Sequence, residues 1–147
     1  MQLGMIGLGR MGGNMARRLL RAGHDCIGYA RDPATLAALA PAGLAGHSDL
    51  AAFVAALAPP RAIWLMLPAG AVDAFIGQLL PLLARGDIVI DGGNSYYKDD
   101  IARARRLAEH GIHYLDVGTS GGGWGLERGY CLMVGGEASA VAHLAPV

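Results

Sequence analysis

The sequence predicts an α/β fold, a doubly wound parallel sheet with helices on both faces. Three observations predict it. Short apolar runs alternate with helix-patterned amphipathic runs along the 147 residues, the rhythm of β-α-β units rather than of hairpins. A glycine turn, Gly7-Leu8-Gly9-Arg10-Met11-Gly12, joins the first apolar run to the first helical one. The segments Gly7–Gly12, Ala30–Asp32, Leu67–Gly70 and Asp91–Ser95 all fall where an expected strand ends, and Thr119–Gly123 follows Val117 closely. That is the edge at which open α/β sheets bind ligands.

The first strand is the apolar run Leu3 to Ile6. After the glycine turn, Met11, Met15 and Leu19 recur every four residues, while Arg10, Asn14, Arg17, Arg18 and Arg21 take the other face. This is an amphipathic helix that Gly23 stops. Asp25 to Tyr29 is a second strand. Asp32-Pro33 opens a helix, with Asp as N-cap and Pro at its first position. Gly43 to His47 allows a minimal third strand, and Ser48 is the expected cap of the next helix, whose apolar face is Leu50, Phe53, Val54 and Leu57. Pro59-Pro60 ends it.

Ala62 to Leu67 is a continuous apolar strand, as parallel strands buried on both faces are. Val72, Phe75, Ile76, Leu79 and Leu80 mark a helix that Pro81 terminates or kinks. Ile88 to Ile90 is a strand running into Asp91-Gly92-Gly93-Asn94-Ser95. Tyr97, Ile101, Ala104 and Leu107 give a helix closed by Gly111, and Ile112 to Val117 is the next strand. A glycine-rich loop (Gly118 to Gly129), a strand (Tyr130 to Val134) and a short helix (Glu137 to Leu144) complete the pattern.

Composition narrows the function. The chain is 53% apolar and 16% charged with a net charge of zero, which excludes a disordered segment and gives no basic patch for nucleic acid. No apolar run reaches membrane-spanning length. Cys26 and Cys131 lie in apolar runs and are expected to be buried, reduced thiols. With an N-terminus that reads as a strand rather than a signal peptide, they place the protein in the cytoplasm. The five histidines lack metal-ligand spacing, so no metal site is expected.

In the strand–turn–helix context the glycine turn is a dinucleotide fingerprint. Its glycines permit the tight turn, the approach of a pyrophosphate and close helix packing, and the helix N-terminus faces the phosphates. In Asp91–Ser95, two glycines let the backbone approach a flat ligand. Asn94 there offers a donor and an acceptor suited to a hydroxyl or carboxamide. Ser95 is expected to be a helix N-cap. Thr119-Ser120-Gly121-Gly122-Gly123 reads either as a backbone nest for a carboxylate or phosphate or as a flexible loop. Ser120 has no His–Asp partners that would make it a nucleophile. Trp124 and Tyr130 are expected to pack the loop.

Taken together, these segments resemble 6-phosphogluconate dehydrogenase, the decarboxylating enzyme of the pentose phosphate pathway, over its N-terminal Rossmann-type domain. The matching pieces are Gly7 to Met15, Leu67-Pro68-Ala69-Gly70, Asp91 to Tyr97 and Val117 to Gly122, and Gly123 to Cys131 is similar to the shorter bacterial branch. The resemblance spans nearly the whole chain, taken as one domain over residues 1–147. It implies that Gly7, Leu8, Gly9, Arg10, Met11 and Gly12 hold the pyrophosphate of NADP or NAD. Ala30, Arg31 and Asp32 would sit at the adenosine 2′-position. Leu67, Pro68 and Ala69 would line the adenosine side. Asn94 would touch both the nicotinamide end and the substrate, 6-phosphogluconate, and Ser120, Gly121 and Gly122 would bind the sugar acid. A homo-oligomer is implied for the full-length parent. Two alternatives remain: a 3-hydroxyacid dehydrogenase of the same superfamily, which carries a Ser-Thr segment in place of Asp-Gly-Gly-Asn, and a nucleotide-binding module without chemistry.

Three departures qualify what the resemblance implies. Ala30 stands where NADP-dependent members have Asn and NAD-leaning members have Asp, which leaves Arg31 as the group for a 2′-phosphate. The expected preference is NADP or dual use, provided Asp32 is turned away by capping its helix. Pro68 stands where many relatives have Lys, removing one cation. The family's all-helical domain, which supplies a Lys general base and a Glu proton donor, has no counterpart before Val147. No catalytic residue is therefore expected in this chain, which should bind rather than turn over. The sheet is likewise expected to lack its last strands and to expose apolar surface at its late edge.

Overall fold

The alternation predicted from sequence becomes one sheet in the computed structural model, which describes residues 1–147. Its strands are β1 (Gln2–Ile6), β2 (Asp25–Tyr29), β3 (Ala45–His47), β4 (Ala62–Leu65), β5 (Ile88–Asp91), β6 (His113–Ser120) and β7 (Cys131–Gly136). They lie in the order β3-β2-β1-β4-β5-β6-β7. The helices are α1 (Arg10–Arg21), α2 (Pro33–Leu39), α3 (Leu50–Ala55), α4 (Ala69–Leu79), α5 (Tyr97–Ala108), α6 (Gly125–Arg128) and α7 (Ala138–His143).

Side-chain alternation sorts the core into two layers. On one face, Leu3, Met5, Ile88, Ile90 and Leu115 pack with Met15 and Ala16 of α1, Leu39 of α2 and Ala140 of α7. On the other, Ile6, Ile63, Leu65, Val89 and Tyr114 pack with Phe53 and Val54 of α3, with Val72, Ile76 and Leu79 of α4, and with Leu107 of α5. Each large apolar side chain so buried contributes about 1.5–3 kcal/mol relative to exposure. The end of the sheet away from the strand tips is tied by Asp87. This buried carboxylate accepts hydrogen bonds from the amides of Arg61 and Ala84, both at 2.8 Å, and from the Arg61 guanidinium at 3.0 Å.

Several local expectations hold. Asp32 caps α2, its Oδ1 accepting from the Ala34 amide at 3.0 Å, with Pro33 at the first position. Gly43–His47 does contain the minimal third strand, and Pro81 falls in a 3₁₀ turn, Leu80–Leu82, that ends α4.

Five expectations are corrected. The cap of α3 is Asp49, not Ser48, and its Oδ1 accepts from the Ala52 amide at 2.8 Å. The cap position of α5 is Tyr96, not Ser95, whose hydroxyl is engaged elsewhere. The sheet is not wholly parallel: β7 runs antiparallel to β6, with Val117 opposite Val134 and Ser120 opposite Cys131. The connection between them, a 3₁₀ turn (Gly122–Trp124) and the single turn of α6, is too short for the crossover of about a dozen residues that a parallel return requires. Gly118, Thr119 and Ser120 are therefore strand rather than loop. Cys26 is buried as expected, and burial pushes its thiol up to about 11. Cys131, on edge strand β7, is exposed.

Candidate functional site

The glycine turn is shaped by two contacts within the protein and one opening. Gly7 adopts φ +88°, and a Cβ there would strike the Met66 carbonyl oxygen of the neighbouring β4 strand's exit. A Cβ on Gly12 would strike the Gly7 carbonyl oxygen, so α1 can lie close to the turn only with glycine there. Gly9 differs. Its φ of −67° suits any residue, and a Cβ would meet no atom within 4 Å. Neither backbone nor packing demands glycine at Gly9; what lies in front of it is open space. α1 starts immediately after it without a side-chain cap, so the amides of its first turn have no intrahelical partner and carry the positive end of the helix dipole.

That space is a cleft of about 660 Å³ at the strand tips, lined by Gly7, Gly9, Arg10, Met11 and Gly12, by Met66 to Ala69, by Gly92, Gly93 and Asn94, and by Gly118, Thr119, Ser120 and Met133. Arg10 is the one charged side chain among them. A hollow of about 340 Å³ continues past Gly7 and Gly9, bounded by Leu8, Tyr29, Ala30, Arg31, Asp32, Thr35, Leu67 and Phe75. Thus Gly7 to Gly12, Asn94 and Ser120 come together, and Ala30 to Asp32 sit in the adjoining hollow. The Asp32 carboxylate there is occupied by its own helix, accepting from the Ala34 amide and from the Thr35 hydroxyl at 3.3 Å.

Two placements differ from expectation. Pro68 and Ala69 line the cleft shared with Asn94, not the hollow holding Ala30 to Asp32; only Leu67 reaches both. Gly121 and Gly122 lie past the lining, where the chain turns into the 3₁₀ segment. Tyr130 does pack this segment, against Gly121 and Gly125, whereas Trp124 is 70% exposed, with the Arg128 guanidinium over its ring.

The loop bearing Asn94 is anchored from behind. Asp91, fully buried at the end of β5, accepts the Gly93 amide at 2.9 Å on Oδ1. Its Oδ2 accepts the Ser95 hydroxyl at 2.6 Å, the Tyr114 hydroxyl at 3.3 Å and the Arg103 guanidinium at 3.5 Å. Arg103 is itself 3% exposed, and donates to Asp100 at 2.9 Å and twice to Asp73 of α4, at 3.1 and 2.8 Å. Hydrogen bonding from Arg103 holds the Asp73 carboxyl below its usual range, and the same bond raises the guanidinium. Burial, with Asp91 and Asp100 adding to it, drives the Tyr114 hydroxyl upward, so it stays a neutral donor. Asp116, opposite Asp91 in the β5–β6 register, is raised by burial and by the charges of Asp100 and Asp91.

Sequence reasoning did not find Tyr29, Thr35, Phe75 and Met66 as lining residues, nor the Arg103–Asp73–Tyr114 network. Tyr29 and Met66 could have been found from their position at strand ends. The network could not, because Arg103 and Asp73 are 30 residues apart and meet only across packed helices.

A sequence profile of the NAD binding domain of 6-phosphogluconate dehydrogenase matches residues 2–147. The chain belongs to the 6-phosphogluconate dehydrogenase family. It is 45% identical to the NAD(+)-dependent, decarboxylating 6-phosphogluconate dehydrogenase of Haloferax volcanii, over 100% of this chain and 48% of that one. It is 40% identical to the NADP(+)-dependent, decarboxylating enzyme of Bacillus subtilis, over 99% of this chain and 32% of that one. Among solved structures it superposes on Plasmodium falciparum 6-phosphogluconate dehydrogenase with a TM-score of 0.89 at 30% identity, covering 99% of this chain and 32% of that chain. A Mycobacterium tuberculosis 3-hydroxyisobutyrate dehydrogenase gives 0.85 at 26% identity, over 99% of this chain and 50% of that one. The chain spans about half to a third of the length of the curated relatives it matches. No helix is long and apolar enough to cross a membrane.

Proposed function

We propose that this chain holds NADP or NAD along its strand tips and presents the nicotinamide end to 6-phosphogluconate, as the cofactor-binding part of an enzyme that oxidises and decarboxylates that sugar acid to ribulose 5-phosphate. The observation that carries the reading is the opening at Gly9. Gly7 and Gly12 are glycine for the protein's own packing, but Gly9 faces only open space where the cleft meets the hollow, as a backbone approached by a pyrophosphate must. The residues present fit the cofactor. The uncapped first turn of α1 and Arg10 face the phosphates, the hollow between Tyr29, Arg31 and Phe75 takes the adenosine, and Asn94 and Ser120 sit at the far end. Gly121 and Gly122 would add backbone amides to the sugar acid.

When bound, the nicotinamide supplies hydride acceptance. The chain's own residues orient both ligands, and we assign the general base and the proton donor to the remainder of a full-length protein, a cytoplasmic homo-oligomer. The 40–45% identity to decarboxylating 6-phosphogluconate dehydrogenases favours this substrate over a 3-hydroxyacid.

Arg31 is the residue we assign to a 2′-phosphate, since Asp32 is committed to capping α2. Calorimetric titration with NADP⁺ and NAD⁺ tests the reading. NADP⁺ is expected to bind at least as tightly as NAD⁺, and Arg31→Ala to weaken NADP⁺ by about tenfold, or about 1.4 kcal/mol, with little change for NAD⁺. Equal losses for both cofactors would move Arg31 off the phosphate, and no binding of either would sink the dinucleotide reading.

A further inference from the structure

Two of the cleft's walls lie on neighbouring elements. One is the chain entering α4, Leu67 to Ala69; the other is the loop Gly92 to Asn94 after β5. They meet where Gly93 lies against the Leu67 carbonyl and where the Gly92 amide donates to the Leu65 carbonyl at 2.9 Å, and one cation behind the cleft adds a side-chain tie between α4 and the loop. Arg103 of α5 reaches Asp73 of α4 with two hydrogen bonds and Asp91 with a third. Asp91 in turn takes the Gly93 amide, the Ser95 hydroxyl and the Tyr114 hydroxyl. All of these groups except Asp73 and Ser95 are buried or belong to the loop itself, and none but Gly93 lines the cleft. We propose that Asp91, Arg103, Tyr114 and Ser95 are positioning residues that hold the Asn94 loop at a set distance from the α4 wall, and thereby pre-form the nicotinamide end of the cleft.

The arrangement fits that task better than general stabilisation. Asp91 spends both oxygens on the two residues that flank Asn94, Gly93 through its backbone and Ser95 through its side chain. Asn94 itself is exposed, and its place is set by its neighbours. The loop's glycines close the remaining freedom. A Cβ on Gly92 would strike the Trp64 indole nitrogen, and one on Gly93 would lie 2.7 Å from the Leu67 carbonyl oxygen, so the loop sits hard against the β4 exit. Preorganisation of this kind lowers the ordering cost on binding and is felt only by ligands that use the ordered part.

This inference rests on the dinucleotide reading of the cleft, and the test separates the two. Arg103→Met strands two buried carboxylates and is a harsh change, so Ser95→Ala and Tyr114→Phe, each removing hydroxyl bonds to the network, lead the experiment. Each variant of the chain is titrated with NADP⁺ and with adenosine 2′,5′-bisphosphate, which lacks the nicotinamide half and so does not extend to the Asn94 loop. The dissociation constant for NADP⁺ is expected to rise about fivefold or more, while that for the bisphosphate stays within about twofold. In parallel, hydrogen exchange on the ligand-free variants is expected to speed at the Gly93 and Asn94 amides and not at Val89 in β5. Parallel losses for both ligands, or unchanged NADP⁺ binding, would overturn the positioning role. If the unaltered chain binds neither ligand, the dinucleotide reading fails, and unchanged exchange at Gly93 would then sink the positioning role on its own.

Discussion

At the residue scale, glycines in one motif do different work, and substitution separates them. Gly12→Ala drives a methyl into the Gly7 carbonyl, an overpacking expected to cost about 1–3 kcal/mol. Differential scanning calorimetry should show the midpoint falling by several degrees, and titration should show cofactor binding lost with it. Gly9→Ala meets nothing within 4 Å at an ordinary φ. Its midpoint should hold or rise slightly, because alanine restricts the unfolded chain, while NADP⁺ binding falls by about tenfold or more. A Gly9→Ala variant that binds normally would remove the central support for the proposed site.

At the element scale, the β5–β6 pair carries a built-in electrostatic tension. Asp91 and Asp116 are cross-strand partners, and like charges in that position destabilise. Asp91 is offset by Arg103; Asp116 has no such partner and its carboxyl is raised. A raised carboxyl binds a proton more readily in the folded state, so it lowers stability as pH rises above its ordinary value near 3.8. Asp73 has the opposite sign. Its lowered carboxyl contributes stability above the ordinary value, and that contribution disappears as pH falls through the folded one. Because Asp73 is 58% exposed, solvent screens its pairing with Arg103 and keeps that contribution small. Thermal melts at about pH 7 and about pH 3 should therefore show Asp116→Asn more stable than the parent at the higher pH only. Asp73→Asn should be less stable at the higher pH and converge with the parent on acidification.

At the scale of the whole molecule, the sheet is well guarded at one end and open at the other. β3 is a minimal edge strand, whereas β7 is a full edge strand with Met133 and Val134 exposed at 67% and 47%. An exposed apolar edge is a template for pairing with another chain. Light scattering of the isolated chain should show association that grows with concentration, and Val134→Lys should reduce it without altering cofactor binding, since Val134 does not line the cleft. A monodisperse parent under the same conditions would show that the β7 edge is not adhesive.

Much of this molecule was legible in the order of its residues, because the interactions concerned are local or periodic. Alternating apolar runs placed the strands, glycine spacing placed the turn, and the shared strand-tip edge placed Gly7–Gly12, Asn94 and Ser120 on one side of the sheet. Asp32 was readable as a cap because it bonds to an amide two residues away. Ser48 and Ser95 were not, because each has a competitor that geometry favours: Asp49 one residue later, and the buried Asp91 for the Ser95 hydroxyl. The direction of β7 followed from the length of a connection whose local structure the sequence pattern left open between nest and loop. The tie through Arg103, the split of the lining into cleft and hollow, and the tension at Asp116 were decided only by tertiary structure. The first and last bring together charges far apart in the chain, whose kind sets the sign of the interaction and whose separation and burial set its size, and the split of the lining follows from where the packed strand ends leave open space.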